Sequence, residues 1–92
     1  MNYTPEIEEE LLVEEQISTE SHELVVFNDD VNTFDNVIEA LIEVCDHTIE
    51  QAEQCTLIIH YKGKCAVKLG SFQALAAMRN AICKRGISAE VF

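Results

Sequence analysis

Apolar positions along the chain change their spacing several times, and each change marks an element. Leu24-Val25-Val26-Phe27 is a short continuous apolar run, read as a buried strand by its length and β-rich composition. Asn28-Asp29-Asp30 ends it, because these side chains compete for local backbone bonds and favour turns. Asn32 or Thr33 then caps a helix whose apolar face is Phe34, Val37, Ile38, Leu41, Ile42 and Cys45. Asp46-His47 breaks that period. Thr48 and Gln51 stand three apart as a capping box, and a second helix follows with Ile49, Ala52, Cys55 or Thr56, and Ile59 on its face. It runs through His60-Tyr61-Lys62 to Gly63, the stop.

From Lys64 to Leu69 the period is two. Cys65, Val67 and Leu69 are expected on one face, and Lys64, Ala66 and Lys68 on the other. Gly70-Ser71 turns the chain into a third helix faced by Phe72, Leu75, Ala76, Arg79, Ile82 and Cys83, with Met78 alongside. Lys84-Arg85-Gly86 closes it, and Ile87 to Phe92 is a last short strand. The order β-α-α-β-α-β predicts an α+β domain, a three-stranded antiparallel sheet covered on one face by three helices. Residues 23–92 form this core. Residues 1–22 read as a flexible acidic extension with seven Glu, disordered apart from a transient helix between about Glu6 and Gln16.

Charge changes the picture next. The 92 residues carry a formal charge of −11, which argues against nucleic acid and anionic membrane as partners. The first basic residue is Lys62, so the acidic part of the chain precedes a mildly basic part. No apolar run is long enough to span a membrane, and the first residues lack the pattern of a secretory signal. A cytoplasmic monomer is expected. Cys45, Cys55, Cys65 and Cys83 are then read as buried reduced thiols, with no Cys-x-x-Cys among them. Cys45, His47, His60 and Cys65 match no compact zinc module, and no metal or cofactor is expected.

Candidate chemistry rests on two features, Asn28-Asp29-Asp30 at a strand end and His60 at a helix end. A carboxylate pair beside an amide suits a cation, whether a metal ion or a protonated amine. The three glycines are isolated, so no phosphate-cradling loop exists, and Ser71 has no triad around it. By the residues alone, a turn and a helix cap account for both features. A small metal-assisted enzyme using Asp29, Asp30 and His60 stands as an alternative.

The strand Leu24 to Phe27 leading into Asn28-Asp29-Asp30, then Val37-Ile38-Glu39-Ala40-Leu41, then His60-Tyr61-Lys62-Gly63-Lys64, resembles the ClpS family. These are adaptors of the bacterial Clp proteases that read N-terminal degrons. The resemblance covers residues 23–92 and implies a binding module, not an enzyme. It implies that Asn28, Asp29 and His60 hold the free α-amino group of a substrate protein. Asp30, Asn32, Phe34, Val37, Thr56 and Ile59 would line or rim a pocket for its first side chain, Leu, Phe, Tyr or Trp. It implies delivery to a Clp AAA+ unfoldase, with the core docked on the unfoldase's N-terminal domain. Tyr61, Lys62, Lys64 and Lys68 are the candidate docking face. The family's Tyr-Thr-Pro-Met-like run is Val31-Asn32-Thr33-Phe34 here, so a stiff ring replaces a flexible methionine at the pocket gate. A regulatory module that binds the unfoldase without reading N-termini is the second reading.

Overall fold

The structure is a computed structural model that describes residues 21–92. The extension read over residues 1–22, with its transient helix, lies almost wholly outside the described residues. The described elements are β1 (His22–Phe27), α1 (Phe34–Cys45), α2 (Ile49–Lys62), β2 (Lys64–Gly70), α3 (Phe72–Lys84) and β3 (Ala89–Val91). β1 is the central strand, antiparallel to β2 on one side and β3 on the other. The three helices cover one face of this sheet. α3 packs on β1 and β3, α2 on β2, and α1 lies against both α2 and α3.

Each helix start is chemically marked. Thr33 accepts from the Asn36 N–H, Ser71 from that of Ala74, and Thr48 and Gln51 form the full reciprocal capping box. Four orphan N–H groups at each helix start make such acceptors worth about 1 kcal/mol apiece. Leu24 and Val26 of β1 meet Leu41, Ala52, Ile59, Leu75, Ile82 and Ile87 in one buried cluster. β3 is shorter than the run Ile87 to Phe92. Ile87 is buried in the core ahead of the strand, and Glu23 and Phe92 exchange both backbone bonds just past its end.

Four side chains expected on the inward helix faces lie outside. Phe34, Ile49 and Phe72 are exposed, and each is the first residue of its helix. A helical side chain covers the turn N-terminal to its own Cα. At the first position no such turn exists, so the side chain overhangs the helix end. Cys83 is also exposed, whereas Cys45 is buried and Cys55 and Cys65 are half-buried; all four are unpaired.

β2 departs from its expected alternation through a bulge. Leu24 pairs with Lys68 and Val25 with Ala66, which leaves Val67 as the extra residue. The bulge frees the Val67 carbonyl to accept from Nε2 of His47 at 2.8 Å. It turns Lys68 inward, where Nζ donates to the Cys45 carbonyl at the end of α1 at 2.9 Å. Leu69 is consequently exposed rather than aligned with Cys65 and Val67.

Gly63 ends α2 with φ 93°, and its N–H donates to the Ile59 carbonyl at 2.9 Å. An added Cβ would meet nothing within 4 Å, so the cost of a side chain there is conformational. Gly63→Ala is expected to destabilise the domain by about 1–2 kcal/mol, checked by urea unfolding, with an unchanged m-value.

Candidate functional site

The Asn28-Asp29-Asp30 loop is positioned from both of its ends. The Asn28 N–H donates to the Gly63 carbonyl at 2.9 Å, which ties the end of β1 to the end of α2. His60 lies in the last turn of α2, so this single bond brings the amide, the two carboxylates and the imidazole to one place.

Asp29 is the anchored carboxylate. Its Oδ1 accepts from the Val31 and Asn32 N–H groups at 2.9 and 2.8 Å, and its Oδ2 accepts from Nδ2 of Asn32 at 2.7 Å. The Asn32 backbone N–H, then the Asn32 side chain, then the Val31 N–H hold its carboxyl below the ordinary Asp value. Asp30 is exposed, and among the described residues its carboxylate enters no hydrogen bond or ion pair. The two neighbours therefore differ: one carboxylate shapes the loop, and the other is free for a ligand.

These groups stand at the mouth of a cavity of about 300 Å³. Its lining includes every residue that the sequence reading placed in the amine site or the side-chain pocket: Asn28, Asp29, Asp30, Asn32, Phe34, Val37, Thr56, Ile59 and His60. Thr33, read from the sequence only as a cap, lines it too. Val37, Thr56 and Ile59 are the buried part, and Phe34 is the partly exposed rim at 42%. Phe34 meets the His60 ring edge to face at 5.1 Å, and Tyr61 meets the same ring at 5.0 Å. Thr56 is 2% exposed, and its hydroxyl donates to the Ala52 carbonyl at 2.7 Å, so the floor holds no unmet donor.

Two properties of the lining decide its chemistry. It contains two carboxylates and no Lys or Arg. It also pairs that negative mouth with an apolar interior of Val37, Ile59 and Phe34. Such a site suits a cation joined directly to an apolar group. Its two hydroxyls are both engaged, Thr33 at the cap of α1 and Thr56 on Ala52, and no serine or cysteine lines the cavity. Among the described residues no three His, Cys, Asp or Glu side chains are grouped to share a metal ion. Neither the set Asp29, Asp30, His60 nor the set Cys45, His47, His60, Cys65 forms a metal centre. Nε2 of His47 is engaged with Val67.

The four residues of the candidate docking face are not equivalent. Tyr61 is 78% exposed, and Lys62 and Lys64 are exposed beside it at the α2–β2 junction. Lys68 is half-buried, with its ammonium on the Cys45 carbonyl.

The fold is thus a small α+β domain whose described recess joins two carboxylates to an apolar lining. Residues 18–89 match the family described as ATP-dependent Clp protease adaptor protein ClpS, and the chain belongs to that family. Among curated relatives, the ATP-dependent Clp protease adapter protein ClpS of Campylobacter jejuni subsp. jejuni is 40% identical over 42 residues, 46% of this chain and 44% of the relative. The same protein of Campylobacter jejuni subsp. doylei matches equally. The aligned part thus spans just under half of these relatives. The family is one of adaptors rather than proteases. Among the described residues no helix is long and apolar enough to cross a membrane.

Proposed function

We propose that the chain is a cytoplasmic adaptor that binds the free N-terminal residue of substrate proteins and delivers them to a Clp AAA+ unfoldase. The observation that carries this reading is the cavity with an acidic mouth, an apolar interior and no basic residue. An α-ammonium beside a bulky side chain satisfies both halves at once. The ammonium has three donors and needs acceptors. Asn28 offers an amide oxygen, Asp30 a free carboxylate and His60 an imidazole ring nitrogen. Asp29 adds negative charge and holds the loop. The first side chain enters past Phe34 towards Val37, Thr56 and Ile59.

The magnitudes are adequate. Burying a Leu or Phe side chain contributes about 1.5–3 kcal/mol. Each charge-assisted hydrogen bond adds about 1.5–3 kcal/mol. After the cost of association the sum corresponds to a micromolar Kd, near −8 kcal/mol. An internal residue lacks the charge and brings a preceding chain into the acidic mouth, so it is rejected.

Residues 23–92 would be the adaptor core, docking on the N-terminal domain of the unfoldase through Tyr61, Lys62 and Lys64. Residues 1–22 would act in delivery. Fluorescence anisotropy with short labelled peptides tests the pocket. Peptides beginning Leu, Phe, Tyr and Trp should bind at micromolar or tighter Kd, and those beginning Ala or Glu at least about tenfold more weakly, as expected from the lost burial. Equal affinity across the series would overturn the pocket assignment. Binding to none of them would leave a module that docks on the unfoldase without reading N-termini.

A further inference from the structure

Asn32 spends its whole side-chain amide inside the protein. One Nδ2 hydrogen goes to Oδ2 of Asp29 at 2.7 Å, and the other goes to the Gly86 carbonyl at 2.8 Å. Its Oδ1 accepts from Nδ2 of Asn36. The orientation of the amide is forced, because an ionised carboxylate and a backbone carbonyl are acceptors only, and only the NH₂ end can face both.

Two neighbouring stretches of chain and one distant turn meet at this one group. Asp29 belongs to the loop after β1, Asn36 to the first turn of α1, and Gly86 to the turn between α3 and β3, 54 residues away. Gly86 has φ 83°, a left-handed backbone that fixes where its carbonyl points. Its neighbour Arg85 is paired with Glu43 of α1, which braces the same turn from the other side.

We propose that Asn32 is a positioning residue for the amine site. It locks the Asp29 carboxylate and so fixes the loop that presents Asn28 and Asp30, and it takes its own bearing from the Gly86 turn. The inference rests on reading the cavity as an amino-terminus site. The physical gain is preorganisation: a loop already held in its bound shape loses less freedom when ligand arrives. Without the Asn32 amide, Oδ2 of Asp29 and the Gly86 carbonyl both lose a partner. Asp29 then keeps only the two backbone bonds to Oδ1.

Asn32 also lines the cavity, so a direct wall role has to be separated from a positioning role. A double-mutant cycle does this, with a labelled Leu-initiated peptide bearing a free amine. Asn32→Ala should weaken binding about tenfold in the native background and less than about twofold in an Asp29→Ala background, because the two residues act through one contact. Asn32→Asp preserves the shape of the wall but sets a carboxylate against Asp29 and the Gly86 carbonyl. Positioning predicts a loss at least as large as that of Asn32→Ala, whereas a wall role predicts near-native affinity. Equal losses of Asn32→Ala in both backgrounds would overturn the proposal. Amide hydrogen exchange supplies a readout independent of peptide. The N–H groups of Val31 and residue 32 should exchange faster in Asn32→Ala, and unchanged exchange would refute the positioning role. If the native protein ignored the peptide while this exchange still quickened, the amino-terminus reading would fall and the strut would stand.

Discussion

Asp30→Asn is expected to weaken binding of a Leu-initiated peptide by about 10- to 100-fold and to leave the unfolding midpoint unchanged. One charge-assisted hydrogen bond of about 1.5–3 kcal/mol corresponds to that range. The substitution keeps the volume of the side chain and removes the single carboxylate in the site that has no other partner. Asp30 is exposed and supports no element, so stability has nothing to lose. Asp29→Ala should behave differently. It breaks three hydrogen bonds within the loop and so costs both affinity and some stability. Anisotropy and urea unfolding on the two variants separate these effects. Native affinity in Asp30→Asn would remove Asp30 from the amine site.

The largest loss of stability is expected at Leu41. It is 1% exposed in the middle of α1 and lies in the buried cluster with Leu24, Leu75 and Ile82. Its backbone carbonyl also takes the Asp46 and His47 N–H groups that end the helix. Leu41→Ala removes buried methyl groups from a packed interior and leaves a space that the neighbours fill only in part, at about 2–5 kcal/mol. Domains of this size have about 5–15 kcal/mol in total, so the variant forfeits a large share of it. Leu57→Ala is the control. Leu57 lies on α2 at 41% exposure, outside the cluster, and its removal should cost about 0.5 kcal/mol or less. Similar urea midpoints for the two variants would contradict the assignment of the core.

The helices were legible because their signals are local. Thr33, one of the two caps the sequence offers for α1, and Thr48 and Ser71 cap their helices, and Gly63 stops α2 through its positive φ. Three of the four exceptions on the helices share one cause. Periodicity assigns Phe34, Ile49 and Phe72 to the apolar faces, but a first-turn side chain has no preceding turn to cover. For Phe34 this overhang has a consequence, since it places the ring over the cavity and against His60. The bulge at Val67 was not legible in a run of plain alternation, and it reversed the expected sides of Lys68 and Leu69. The membership of the cavity could be written down from the resemblance. The division of labour inside it could not. Asp29 and Asp30 are the same residue type one position apart, and the directions of the Val31 and Asn32 N–H groups and of the Asn32 side-chain amide distinguish them. The bond from Asn32 to Gly86 joins residues with no sequence pattern in common.

The central claim is that the cavity recognises a free α-amino group together with its first side chain. The most direct measurement compares one Leu-initiated peptide with a free and with an acetylated amino terminus, by anisotropy under the same conditions. Acetylation removes the positive charge and adds a group at the acidic mouth while leaving the leucine intact. The account predicts micromolar or tighter binding of the free peptide and at least a hundredfold weakening on acetylation, roughly the loss of two charge-assisted hydrogen bonds. Equal binding of the two peptides would contradict it.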